Sequence, residues 1–105
     1  MNDKRAYPRK VVVVRIDDRT EFGILTHTTE NLSRQGMFIT TDAPYPEGTT
    51  LDLTIALGKN KINVQGRVVW RKSADNSHGS SGMGVVIIEI SPEDQEILDE
   101  FLNRD

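Results

Sequence analysis

Arg5 and Arg9 stand four residues apart in the segment KRAYPRK, with Tyr7 and Pro8 between them. Guanidinium is planar, permanently charged and forked, so it binds phosphate or the O6/N7 edge of guanine in bidentate fashion and also stacks on a base. Pro8 restricts Tyr7 to extended conformations, so the two guanidiniums ride on an extended or irregular strap rather than on a helix face. A solvated basic tail has the same composition, and charge alone favours that reading. A second group, Asn31, Ser33 and Gly36, lies in TENLSRQGMFIT at the junction of two strand-like runs. Asn and Ser offer hydrogen-bonding groups in a turn, and a glycine at the exit permits a backbone conformation or a close approach that a Cβ would block. An ordinary Asx-type hairpin turn reads the same way.

Other chemistry is sparse. The chain has no cysteine, which excludes disulfides, thiolate zinc sites and a Cys nucleophile, and its two histidines, His27 and His78, have no spacing that marks a metal pair. Ser33 has no His and acid in a recognisable nucleophile pattern, so neither a catalytic residue nor a resident cofactor or metal is expected. Gly82 and Gly84 frame Met83, which points to tight packing rather than a phosphate cradle, since no helix start follows them.

The elements that must position these groups are mainly β. Nine Val, nine Ile and nine Thr fall in short runs separated by turn formers. The runs predict six strands at 10–16, 23–30, 36–42, 49–57, 61–72 and 82–90, with breaks at Asp17-Asp18, Pro44 to Gly48, Gly58 to Asn60 and Ser73 to Ser81. Leu51, Leu53, Ile55 and Leu57 alternate with Thr50, Asp52, Thr54 and Ala56, the two-residue period of a half-buried strand. Trp70 runs in phase with Val64, Gly66 and Val68, which assigns it to the barrel interior or the space beneath the helix, with a place beside a ligand as the alternative. This pattern suits a six-stranded antiparallel sheet curled into a small barrel. The period then changes. Ser91 is a good N-cap, Pro92 suits the first helical position, and Ile97, Leu98, Phe101 and Leu102 form one apolar stripe at helical spacing. The expectation is one domain over 1–105: a flexible strap at 1–9, a barrel at 10–90 and a helix at 91–103 lying on the barrel.

The 105 residues carry a net charge of -3 and a pI near 5.3, but the charge is divided. Residues 1–16 hold Lys4, Arg5, Arg9, Lys10 and Arg15 against Asp3 alone, whereas residues 89–105 hold seven acids against Arg104. The low pI argues against long polyanions such as nucleic acid, yet leaves room for a compact anion at the basic end. The longest apolar runs, Val11 to Val14 and Val85 to Ile88, are far short of the roughly 20 residues that cross a bilayer. No secretory leader pattern opens the chain either, so a cytoplasmic location without membrane insertion is expected.

Arg-x-x-x-Arg ahead of the first strand, then Asn-x-Ser-x-x-Gly ahead of the third, resembles the two-part signature of the PilZ domain family. The GMFI, GRVVWR and GMGVVIIEIS segments and the closing helix are similar to that family as well. The resemblance implies a six-stranded antiparallel barrel with a C-terminal helix that acts as a receptor for cyclic di-GMP. It also implies roles. Arg5 and Arg9 would clamp the phosphates and guanines, Asn31 and Ser33 would hydrogen-bond the other guanine or a phosphate, Gly36 would leave room, and Lys4 would add a cation where some members hold two stacked ligand molecules. Many members carry Asp where this chain has Asn31, and an amide with one acceptor oxygen and no charge implies weaker binding.

The expected mechanism is disorder-to-order: the strap folds over the barrel when its arginines find the ligand and presents a new face to a protein effector not identified by the sequence. Motility and surface polysaccharide production are both open as outputs. An alternative is a PilZ-like protein–protein interaction module that binds no nucleotide. A barrel binding single-stranded nucleic acid would need stacking aromatics along a basic groove, and the six aromatics are scattered.

Overall fold

The computed structural model describes residues 14–29, 31–73 and 81–103. They form β1 (Val14–Thr20), β2 (Gly23–Thr29), β3 (Gly36–Thr40), β4 (Thr50–Leu57), β5 (Asn60–Lys72), β6 (Gly82–Ile90) and α1 (Pro92–Asn103). All pairings are antiparallel, and the strands close into a barrel in the order β1-β2-β3-β6-β5-β4. The mainly β architecture with one C-terminal helix is the one the short β-branched runs predict. The strap with Lys4, Arg5 and Arg9, the first residues of the expected strand at 10–16, and His78 lie outside the described residues.

Two-residue periodicity builds the core. In β4 every inward residue, Leu51, Leu53, Ile55 and Leu57, is buried, and its neighbours Ile62, Val64 and Val68 on β5 meet Ile16, Ile39, Met83 and Val85 from the other strands. β4 and β5 are joined by two residues between paired Leu57 and Asn60, and Gly58 adopts φ +65° there. Two-residue hairpins whose twist matches the strands need a positive φ at the first central position, which glycine supplies without strain.

The helix closes one end. Ser91 Oγ accepts from Asp94 N at 3.1 Å and Ser91 O from Gln95 N at 2.8 Å, so the expected N-cap forms. Leu98 and Leu102 are buried while Ile97 and Phe101 pack half-buried against the same core; full burial of a leucine stabilises by about 1.5–3 kcal/mol. Two polar ties fix the helix in rotation. Asp94 Oδ2 accepts from Asn63 N on β5 at 3.0 Å, and Arg34 Nε donates to Asp99 Oδ1 at 2.7 Å. The Arg34 guanidinium holds the Asp99 carboxyl below its ordinary range.

Three expectations need correction. The strand predicted to stop before Asp17-Asp18 runs on to Thr20, because both carboxylates are matched. Asp18 points inward, is 1% exposed and accepts from Tyr45 Oη at 2.7 Å. Asp17 points outward to Arg15 and Thr26. Tertiary partners thus override the low strand propensity of aspartate. β3 ends at Thr40 rather than at residue 42; beyond it the chain stays tied to the start of β6, with Thr41 N donating to Ser81 O and Ser81 Oγ to Thr41 O. Trp70 is not in the barrel interior. The β5–β6 register shifts between Val68 and Trp70, and this bulge removes Trp70 from the inward phase of Val64, Gly66 and Val68, leaving it 46% exposed.

Candidate functional site

The loop between β2 and β3 is shaped by Ser33. Its N–H donates to Gly36 O at 2.9 Å, while its Oγ accepts from Gln35 N at 3.2 Å and Gly36 N at 3.3 Å. The hydroxyl thereby mimics a backbone acceptor and folds residues 33–36 into a tight turn. Asn31 is anchored through its backbone, donating to Thr29 Oγ1 at 3.1 Å; its exposed side-chain amide has no hydrogen-bond partner among the described residues. Leu32 between them is buried and bridges Met37, so alternate residues face core and solvent.

Of the two reasons the sequence offers for Gly36, the structure shows the close approach. It pairs with Val86, and a Cβ there would stand 2.9 Å from Val86 Cα, 3.0 Å from Val85 C and closer still to Val85 O. The glycine lets β3 approach β6 where the turn enters the barrel.

Opposite the turn stands an aromatic wall. Gly84 on β6 pairs with Phe38 on β3 and with Trp70 on β5. Neighbouring strands are about 4.8 Å apart, so residues flanking a central strand normally stand roughly 10 Å from one another. Because Gly84 has no side chain, the two rings lean over it and stack, with centroids 5.4 Å apart and planes at 25°. A Cβ on Gly84 would collide with the Trp70 indole, and one on Gly82 with the Phe38 ring. Lys72 Nζ sits 5.9 Å from the Phe38 ring centroid and adds a cation to the outer end of the wall.

Turn and wall enclose an open groove of about 280 Å³ floored by Gly84, Val85 and Val86. Asn31, Ser33 and Gln35 form its polar side; Phe38, Val69 and Trp70 form its apolar side. Such a groove suits a ligand with flat π faces and polar edges: the indole offers a stacking surface, and the amides offer directed hydrogen bonds.

Of the residues singled out in the sequence, Asn31, Ser33 and Gly36 come together at this groove, whereas Arg5, Arg9 and Lys4 lie outside the described residues. Phe38 was missed, and Trp70 was placed here only as an alternative. The usable signal was the Gly-x-Gly of β6, since strand glycines are commonly covered by rings from adjacent strands. No cluster of three or more His, Asp or Glu suited to a metal occurs among the described residues, and none of their helices is long and apolar enough to cross a membrane.

The family model of the PilZ domain matches residues 3–104. No curated protein matches the chain. Among solved structures, the chain is similar to the Bacillus subtilis inhibitor of motility MotI/DgrA, with a TM-score of 0.77 and 20% identity over 96% of this chain and 50% of that one. It is also similar to the PilZ domain of CeSA from a cellulose-synthesizing bacterium, with a TM-score of 0.55 and 14% identity over 88% of this chain and 91% of that one. The chain thus spans half the length of MotI/DgrA, and at these identities the two structures speak to fold alone. A family match over nearly all of the sequence, on a closed six-stranded barrel with a helix at its end, establishes that this chain belongs to the PilZ domain family.

Proposed function

We propose that this chain is a cyclic di-GMP receptor without catalysis, in which residues 1–105 act as one unit and the strap at 1–9 orders on ligand binding to present a new surface to a protein effector. The observation that carries the reading is the groove in which Asn31 and Ser33, from the second half of the family signature, face the exposed ring of Trp70. Cyclic di-GMP has two phosphate charges and two purine faces. Trp70 gives one purine a stacking surface, the Asn31 amide, which has no hydrogen-bond partner among the described residues, bonds its edge, and Arg5 and Arg9 bring two further cations to the phosphates. Lys4 adds a further cation for a second stacked ligand molecule.

Isothermal titration of cyclic di-GMP into wild type, Arg5→Ala, Arg9→Ala and Lys59→Ala tests this. Wild type and Lys59→Ala bind, and both arginine variants lose measurable heat. No heat from wild type at tens of micromolar ligand overturns the reading. As for output, the similar structures are an inhibitor of motility and a domain of CeSA, and we propose control of motility or polysaccharide production through a partner.

One observation favours a second reading, a protein–protein module that needs no nucleotide. The Ser33 hydroxyl is engaged inside its own turn and Gly36 is required by strand packing, so both signature residues have structural reasons to be present. A partner set in pull-downs that is unchanged by added cyclic di-GMP supports that module.

A further inference from the structure

The hairpin of β1 and β2 carries the three most exposed large hydrophobics among the described residues: Phe22 at 91%, Ile24 at 62% and Leu25 at 50% exposed. Ile24 and Leu25 are consecutive, so they point to opposite faces of β2, and both are open to solvent. β2 pairs with β1 along its whole length, from Thr29 opposite Val14 to Gly23 opposite Thr20. With β3 it pairs only at Thr28, opposite Thr40. Among the described residues, Gly23 to His27 therefore form a sheet edge.

The register identifies which groups that edge offers. A two-residue loop closes on the pair Thr20 and Gly23, the position at which such hairpins place a bonded pair, and antiparallel pairs then alternate between bonded and non-bonded. Gly23, Leu25 and His27 thus bond to β1, while the N–H and C=O groups of Ile24, Thr26 and Thr28 point the other way. Thr28 meets β3, as it should. Among the described residues, Ile24 and Thr26 are left with two donors and two acceptors directed outward. Exposed edges are ordinarily blunted by lysine, proline or a bulge, and the edge GILTHTT has none of these.

We propose that β2 is a self-association edge on which a second copy of this chain pairs antiparallel about a two-fold axis at Leu25. In that register Ile24 faces Thr26 of the partner and Thr26 faces its Ile24, so all four outward groups of each edge are bonded. Leu25 stands opposite its symmetry mate at a non-bonded position, where side chains approach most closely. A homotypic contact brings every charge against its like, and β2 contains no Asp, Glu, Lys or Arg, so pairing meets no repulsion along the strand. The contact is small, so the dimer is weak and reversible.

Sedimentation velocity of the full chain without nucleotide, from micromolar to millimolar concentration, tests the proposal independently of ligand binding. The expected result is a mass that rises from 11.8 kDa towards twice that value. Ile24→Lys and Leu25→Lys remain monomeric, and Ile88→Lys, an exposed β6 position, still dimerises. Amide exchange on the wild type gives a second readout that needs no variant. Ile24 and Thr26 amides become protected as concentration rises, while Leu25 and His27 are protected throughout. A wild-type monomer at all concentrations, the result if only another protein's strand fits this edge, overturns the proposal. So does a dimer in which Ile24 and Thr26 exchange is unchanged.

Discussion

Adding one methyl at Gly36 and one at Gly84 should have unequal costs, although the two glycines lie on paired strands of the same groove. At Gly36 the new Cβ meets backbone: Val86 Cα at 2.9 Å and Val85 C at 3.0 Å. Carbon atoms pack at about 3.5–4.0 Å, and the Val85 carbonyl oxygen lies closer to the new Cβ than either carbon, so β3 and β6 must part by roughly 1 Å or more. Overpacking of this kind costs about 1–3 kcal/mol, and each ladder hydrogen bond that is stretched adds up to about 1 kcal/mol. Gly36→Ala should therefore lose about 3 kcal/mol, a fall in Tm of more than about 12 °C for a domain of this size. At Gly84 the new Cβ meets the Trp70 indole, a half-exposed ring that can swing into solvent. The cost is then the aromatic stack on Phe38, about 0.5–1.5 kcal/mol. Urea unfolding measures both. Trp70 is the sole tryptophan, so its emission reports the wall directly: Gly84→Ala should shift it to the red in the folded protein, and Gly36→Ala should not. If Gly36→Ala is within about 1 kcal/mol of wild type, the glycine is not required by strand packing and the reasoning fails.

Three further outcomes are expected. Tyr45→Phe leaves the buried Asp18 carboxylate without its phenol donor and should cost about 1.5–3 kcal/mol in urea melts at neutral pH. The hydrogen bond to Asp18 raises the Tyr45 pKa from 10.0 to about 12, so its stabilisation is complete below pH 10 and is lost as pH climbs towards 12; the phenylalanine variant should lack that alkaline component. Ser91→Ala removes the acceptor for Asp94 N and should cost about 1 kcal/mol by thermal melting, without changing groove fluorescence. Asn31→Asp restores a charged two-oxygen acceptor at the groove's polar side and should tighten cyclic di-GMP binding about fivefold, near 1 kcal/mol, by calorimetry.

The parts of the fold legible in the sequence are those governed by local periodicity. β4 reads directly from Leu51, Leu53, Ile55 and Leu57, and α1 from its Ser91 cap and apolar stripe, because each pattern is self-contained within one element. What was not legible depends on contacts between elements. The path of β1 through Asp17 and Asp18 depends on Tyr45, 27 residues beyond Asp18. The outward turn of Trp70 depends on a bulge that breaks the parity of β5, and alternation cannot reveal a bulge. The polar side of the candidate site was readable as a motif, since Asn31, Ser33 and Gly36 are neighbours in sequence. Its apolar side was not, because Phe38 and Trp70 meet only over a glycine from a third strand.

The most direct measurement is a backbone amide NMR titration of the labelled chain with cyclic di-GMP, followed by the same titration of Trp70→Ala. Binding in the groove predicts saturable shifts at Asn31 to Gly36, at Val69 and Trp70, and through Arg5 to Lys10, with Phe22 to Leu25 unmoved, and weaker binding by the variant. Shifts confined to surfaces away from Asn31, Ser33 and Trp70, or none at all, would contradict the assignment of this groove as the cyclic di-GMP site.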